Sequence, residues 1–310
     1  MSGPISTDDT PADVGPDVVE PAVLEITDSR VSQVGAFTVR RALPQRTRRM
    51  VGAWCFVDHM GPTTIGEGGL AVAPHPHIGL QTVTWLLAGE ALHRDSLGSE
   101  QVIVPGQLNL MTAGHGVAHS EEGTGRYRGE LHGVQLWVAQ PDLTRHGPSA
   151  FEHHAELPRV ELDHGVATVM IGDLAGLISP ARRDTDHAGV DLHLRAGATV
   201  IPLRTDYEYA VVVLAGACTI AGATVAPGHL AYLGLGRDEL ALATDEPTRA
   251  LLVGGVPFDE PVVMWWNYVA RNHDEITAAH DDWTNGSARF GTVDSPLPRY
   301  NVAPPPWSRR

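Results

Sequence analysis

Residues 73 to 90 read APHPHIGLQTVTWLLAGE: two histidines one residue apart, then an apolar run that stops at Leu87-Ala88-Gly89. A short run rich in Val, Thr, Trp and Leu, closed by a glycine turn, reads as a β-strand. Extended outward, the stretch becomes VTWLLAGEALHRD (83–95), and the same form recurs as AVVVLAGACTIAG (210–222). A second pair matches in the same order, EQVIVPGQLNLMTAG (100–114) with GATVAPGHLAYLGLG (222–236), each a β-run, Pro-Gly, a second β-run and a Gly turn. One β-fold is written twice, with about a hundred residues per copy.

The other runs agree: WCFVDHM (54–60), HGVQLWVA (132–139), VATVMIGD (166–173), LALAT (240–244) and RALLVGG (249–255) are short and separated by turn residues. That rhythm predicts an all-β protein of sandwich or barrel type. The segment PDLTRHGPSAFEHHAELP (141–158) interrupts it with Pro and polar residues, so a domain boundary falls there. The expected organisation is a disordered leader over 1–22, a first barrel over 23–145, a second over 155–256, a segment with a helix over 257–295 and a Pro-rich tail over 296–310. The helix is read from DEITAAHDDWTN (274–285), with its start signalled by Asn272 and with Ile276 and Ala279 on one face.

Composition excludes several classes. A formal charge of -15, with 37 acidic against 22 basic side chains, opposes direct binding to a phosphate backbone. Cys55 and Cys218 are too far apart for a CxxC motif or a disulfide framework, which suits a reducing cytoplasm. The N-terminus has no basic region followed by an apolar one, and the most apolar window (209–236) is broken by Gly and Pro. A soluble cytoplasmic protein is expected, with no membrane partner.

The histidines need another reason. Side chains at i and i+2 of a strand share a face, so His75 and His77 project together while Pro76 looks away. GHGVAHSEEG (114–123) offers a second such pair, His119 and Glu121. Three imidazoles and a carboxylate converging from neighbouring strands make a chelate for one divalent metal, with positions left open. That set suits Fe(II), and Mn, Ni, Cu and Zn are also compatible. His115, four residues before His119, is either an alternative ligand or a residue beside the ligands. Trp54, Phe56, Met60, Ile78 and Met111 are apolar candidates for the mouth of the cavity.

These residues resemble a known family. Gly69, His75-Pro76-His77, Gln81 and Gly89 follow the first cupin motif, and PGQLNLMTAGHGVAHSE (105–121) is similar to the second as pirins write it. FVDHMGP (56–62), GLISPARRDT (176–185) and EPVVMWWNYVARNHDEI (260–276) also resemble pirin stretches. The resemblance implies a bicupin, two face-to-face β-barrels, with His75, His77, His119 and Glu121 holding iron in the first barrel. Many pirins write HPHRGFETV where this chain has HPHIGLQTV, so Ile78 and Gln81 replace a basic and an acidic residue beside the site.

The second barrel has neither histidine pair at its matching strands, and His229 in PGHLAYL reads as a turn residue. The resemblance also implies that residues 257–295 pack back on the first barrel, with Trp265, Trp266 and Tyr268 as glue between barrels. Two activities follow as expectations. One is a quercetin 2,3-dioxygenase-like enzyme acting on a polyphenol or enediol, with Glu121, or else His115, taking the substrate proton. The other is an iron-dependent redox sensor that binds a regulatory protein partner, with the loop RDSLGSEQ (94–101) either reporting the metal state or serving as an ordinary polar hairpin. A metal-free scaffold is the third reading.

Overall fold

The computed structural model describes residues 24–34, 37–66 and 69–308. The expected leader lies outside the described residues. Two antiparallel β-barrels follow one another, each built from a seven-stranded and a four-stranded sheet. In the first barrel the large sheet runs Ala150–His154, Leu108–Thr112, Leu80–Ala88, Gly129–Ala139, Trp54–Ile65, Phe37–Leu43 and Arg30–Val34 in spatial order. Its small sheet runs Ala71–His77, Val117–Glu122, Ala91–Asp95 and Glu100–Ile103. The second barrel repeats this plan with Gly197–Pro202, Glu239–Thr244, Cys218–Ile220 and Ala223–Val225 as its small sheet.

The repeat seen in the sequence is therefore a repeat of structure. Pro105-Gly106 and Pro227-Gly228 turn the chain from the small sheet to the large one in each barrel. Gly106 and Gly228 have φ of +85° and +97°, a region that favours glycine. One exchange joins the barrels: Glu25–Asp28 pairs with His229–Gly234 of the second large sheet, while Ala150–His154 pairs with Leu108–Thr112 of the first.

Alternation along the strands sends one face inward and the other between the barrels. Val83, Trp85, Leu108, Leu110, Val134 and Leu136 pack against Ala210, Val212, Leu214, Leu251 and Val253, so the two large sheets share one apolar layer. Trp54 is anchored there, fully buried, with Nε1 donating to Ala188 O at 3.1 Å and Gly254 O at 3.2 Å. The helix His273–Thr284 is capped by the Asn272 side chain, which accepts from Glu275 N, and it buries Ile276, Ala279, His280 and Trp283. Ile276, Ala279 and Trp283 pack with Tyr268 and Phe290 of the C-terminal segment against Ile78 and Ala118 of the first barrel. Trp265, Trp266 and Tyr268 thus cement the C-terminal segment to the first barrel, and do not join one barrel to the other. Residues 296–308 carry only the turn Pro306–Ser308 and take their course from that barrel, with Tyr300 N donating to Pro74 O at 2.8 Å.

Candidate metal centre

His75 and His77 lie on Ala71–His77, an edge strand of the small sheet. Only an edge tolerates Pro74 and Pro76, which cannot donate to a ladder. His119 on Val117–Glu122 is paired directly with His75, and the register slips between His119 and Glu121, where Val72 is the next partner. The three rings meet, with centroids 5.0 Å (His75–His77), 4.4 Å (His75–His119) and 5.0 Å (His77–His119) apart. One donor nitrogen from each lies within 4.8 Å of the others, and His77 Nε2 is 3.1 Å from His119 Nε2.

Burial keeps these rings neutral. It lowers the His75 pKa to about 4, against a smaller opposing effect from the Ala73 carbonyl, and it pushes His77 and His119 well below the ordinary value. A neutral imidazole offers a lone pair on one nitrogen, and the hydrogen bond of the other nitrogen decides which. His75 Nδ1 lies 2.8 Å from Ala73 O and His77 Nδ1 lies 2.9 Å from Asn267 O. A carbonyl only accepts, so both rings carry hydrogen on Nδ1 and leave Nε2 free for a cation. The donor set and its orientation fit a single metal ion.

Glu121 is placed differently. It lines the same cavity, but no oxygen of its carboxylate joins the cluster in which all donors lie within 4.8 Å. Instead it accepts from Thr84 Oγ1 at 3.0 Å, and burial raises its pKa despite the His93 and Thr84 contacts. His115 is not among the residues that line the cavity; its carbonyl accepts from Arg289 at 2.8 Å. Met60 and Phe56 line it, whereas Ile78 packs under the helix, Met111 sits behind Phe56 and Trp54 lies between the barrels. Gln81 shares the strand face of Val83 and Trp85, away from Thr84 and the histidines, and donates to Thr112 Oγ1 at 3.0 Å.

The cavity has a volume of about 500 Å³. Phe56 and Trp137 stack at 4.0 Å on one wall, and Arg41 binds Asp58 through two hydrogen bonds of 2.7 and 2.6 Å. Trp266, Tyr300 and Val302 come from the C-terminal segment. Trp266 has φ of +53°, an unfavourable conformation for a bulky residue, at the turn that presents the Asn267 carbonyl to His77. Sequence reasoning missed Asn267, because a backbone carbonyl has no residue signature. It also missed His93 and Asp95, which form a third i, i+2 pair in HRD.

Two family models match the chain: one described as Pirin over residues 36–138, and one described as Pirin C-terminal cupin domain over 189–291. A Pseudomonas aeruginosa protein named "Putative quercetin 2,3-dioxygenase" is 47% identical over 92% of this chain and 91% of its own length. A "Pirin-like protein" of Caulobacter vibrioides is 36% identical over 88% of this chain and 98% of its own. The crystal structure of a quercetin 2,3-dioxygenase from Acinetobacter baumannii superposes with a TM-score of 0.89 at 40% identity, covering 93% of this chain and 97% of that one.

Proposed function

The chain belongs to the pirin family, and on that premise we propose that it is a mononuclear Fe(II) protein with quercetin 2,3-dioxygenase-like activity on flavonol or enediol substrates. His75, His77 and His119 would hold the metal, and Glu121, which lines the same cavity outside that donor cluster, would be the proton acceptor. The observation that supports this reading best is the meeting of three neutral imidazoles, at least two with Nε2 set free by carbonyl partners, on one wall of an aromatic-lined cavity. The names of the relatives point to the same substrate class.

A flat aromatic ligand with adjacent keto and hydroxyl oxygens suits that cavity. Phe56, Trp137 and Trp266 give the cavity aromatic walls against which its rings can pack, while the imidazole wall meets its oxygens. Arg41 already has its charge matched by Asp58, so the cavity makes no strong demand for an anionic substituent. When bound, the metal would supply Lewis-acid polarisation of a substrate enol and redox chemistry toward dioxygen. Glu121, with its pKa raised by burial, takes the proton of the substrate hydroxyl, and the Thr84 hydroxyl steadies the carboxylate.

The test is oxygen uptake by anaerobically purified, iron-loaded protein over a panel of flavonols and enediols. The reading expects uptake with at least one of them, lost in His77→Ala and cut roughly 10²-fold or more in Glu121→Gln. No uptake with any compound on the panel would end the enzyme reading.

A further inference from the structure

Two of the three imidazoles owe their orientation to backbone carbonyls, and His119 does not. Its Nδ1 faces another side chain, His93 Nδ1, at 3.4 Å. Two ring nitrogens share one hydrogen only if one of them carries it, so something else must decide which. Asp95 does so: its Oδ2 lies 3.1 Å from His93 Nε2, and an ionised carboxylate only accepts. His93 therefore carries its hydrogen on Nε2 and presents a lone pair from Nδ1. His119 Nδ1–H donates to that lone pair, which leaves His119 Nε2 free on the side of His77. We propose that His93, oriented by Asp95, is the positioning pair that sets which nitrogen of His119 faces the metal; this rests on the triad being a metal site.

Further contacts hold this pair in place. Asp95 is fully buried in its side chain, and its Oδ1 accepts from Leu97 N and Ser99 N, both at 2.9 Å. The hairpin RDSLGSEQ thus aims the carboxylate at His93 by its own backbone amides. Ser96 ties the same hairpin to the ligand strand, its Oγ accepting from Ala118 N at 3.1 Å. The His93 ring stacks on Phe151 at 4.3 Å, which fixes its plane. A carboxylate that orients a histidine commonly acts on a ligand directly; here it acts through one intervening imidazole.

The experiment is zinc affinity of the full chain by chelator competition, with thermal melting of the metal-free protein alongside. Asp95→Asn can still accept from Leu97 and Ser99, but its amide donates to His93 Nε2. That reverses the ring's hydrogen and sets two N–H groups against each other at His119. We expect zinc binding about 10- to 100-fold weaker in Asp95→Asn and in His93→Leu, with His93→Gln, which restores an acceptor oxygen, back within about threefold of wild type. A packing role against Phe151 would give the opposite order, with Leu the better substitute and Gln the worse.

Nitrogen-15 spectra of the zinc-loaded imidazoles add a readout independent of affinity. His119 should carry its hydrogen on Nδ1 in the wild type and lose that signature in Asp95→Asn. The inference is overturned if Asp95→Asn and His93→Leu bind zinc like wild type while His77→Ala does not. If His77→Ala also binds like wild type, the triad reading fails and takes this one with it.

Discussion

The two barrels share a plan and differ in what they enclose. Inside the second, Val169, Leu192, Leu194, Tyr207, Val211, Val213, Leu233, Leu240 and Leu242 belong to one continuous apolar cluster. The matching space in the first holds His75, His77, His93, His119, Thr84 and Glu121, and its apolar packing is split into separate clusters on either side of a cavity. The two large sheets bury a common layer against each other, so the fold does not depend on filling both interiors. One interior is thereby free to carry polar groups, provided each finds a partner. Among the ligands those partners are Ala73, Asn267 and His93, and for Glu121 it is Thr84.

The largest effect tests the shared layer. Trp54→Ala leaves a cavity between the sheets and removes two indole hydrogen bonds, and should cost roughly 3–5 kcal/mol in denaturant unfolding, reported by both barrels. Leu192→Ala, inside the second barrel only, should cost about 2–5 kcal/mol while metal content stays that of wild type. A parallel loss of metal in Leu192→Ala would break the contrast between a structural and a functional interior.

Acid should act at the shared layer too. His59, buried against His132 with Nε2 atoms 2.8 Å apart, has its pKa lowered to about 3 by burial first and then by His132 and Arg40. The unfolded chain takes up a proton below about pH 6.5 and the folded chain resists it. The stability linked to His59 is therefore whole above about pH 6.5 and drains as pH falls toward about 3, amounting to roughly 2–3 kcal/mol by pH 4.5. His59→Leu should show a flatter pH profile over that window, measured by urea unfolding of metal-free protein. An unchanged slope would remove His59 as its source. The smallest effect lies at the helix that packs on the first barrel alone: Asn272→Ala should cost about 1 kcal/mol through the lost cap, read from the melting temperature.

Much of this was legible in the chain, and the reasons differ by residue. Alternation placed His75 with His77, and the paired Leu-Ala-Gly and Pro-Gly turns announced two copies of one fold, because both signals are local. Asn272 was legible for the same reason. The same alternation also puts Gln81 on the face of Val83 and Trp85, away from the histidines, which a family pattern read without parity obscures. The exchange of Glu25–Asp28 into the second barrel was not legible, since four alternating residues say nothing about their partner. Nor were Asn267, Tyr300 and Val302, which reach the cavity only because the C-terminal segment folds back over 190 residues of sequence from His77 to Asn267. His93 and Asp95 carried the right spacing, but in a polar hairpin that spacing is ordinary, and only the ring contact with His119 gives it meaning.

If the triad is a metal site, the first barrel binds one metal ion through three histidines and the second binds none. Metal quantification by mass spectrometry on untagged, anaerobically purified wild type and His77→Ala decides this. We expect about one metal per wild-type chain and close to none in the variant, since loss of one ligand removes much of the binding energy. Equal metal in both proteins, or none in the wild type, would contradict it.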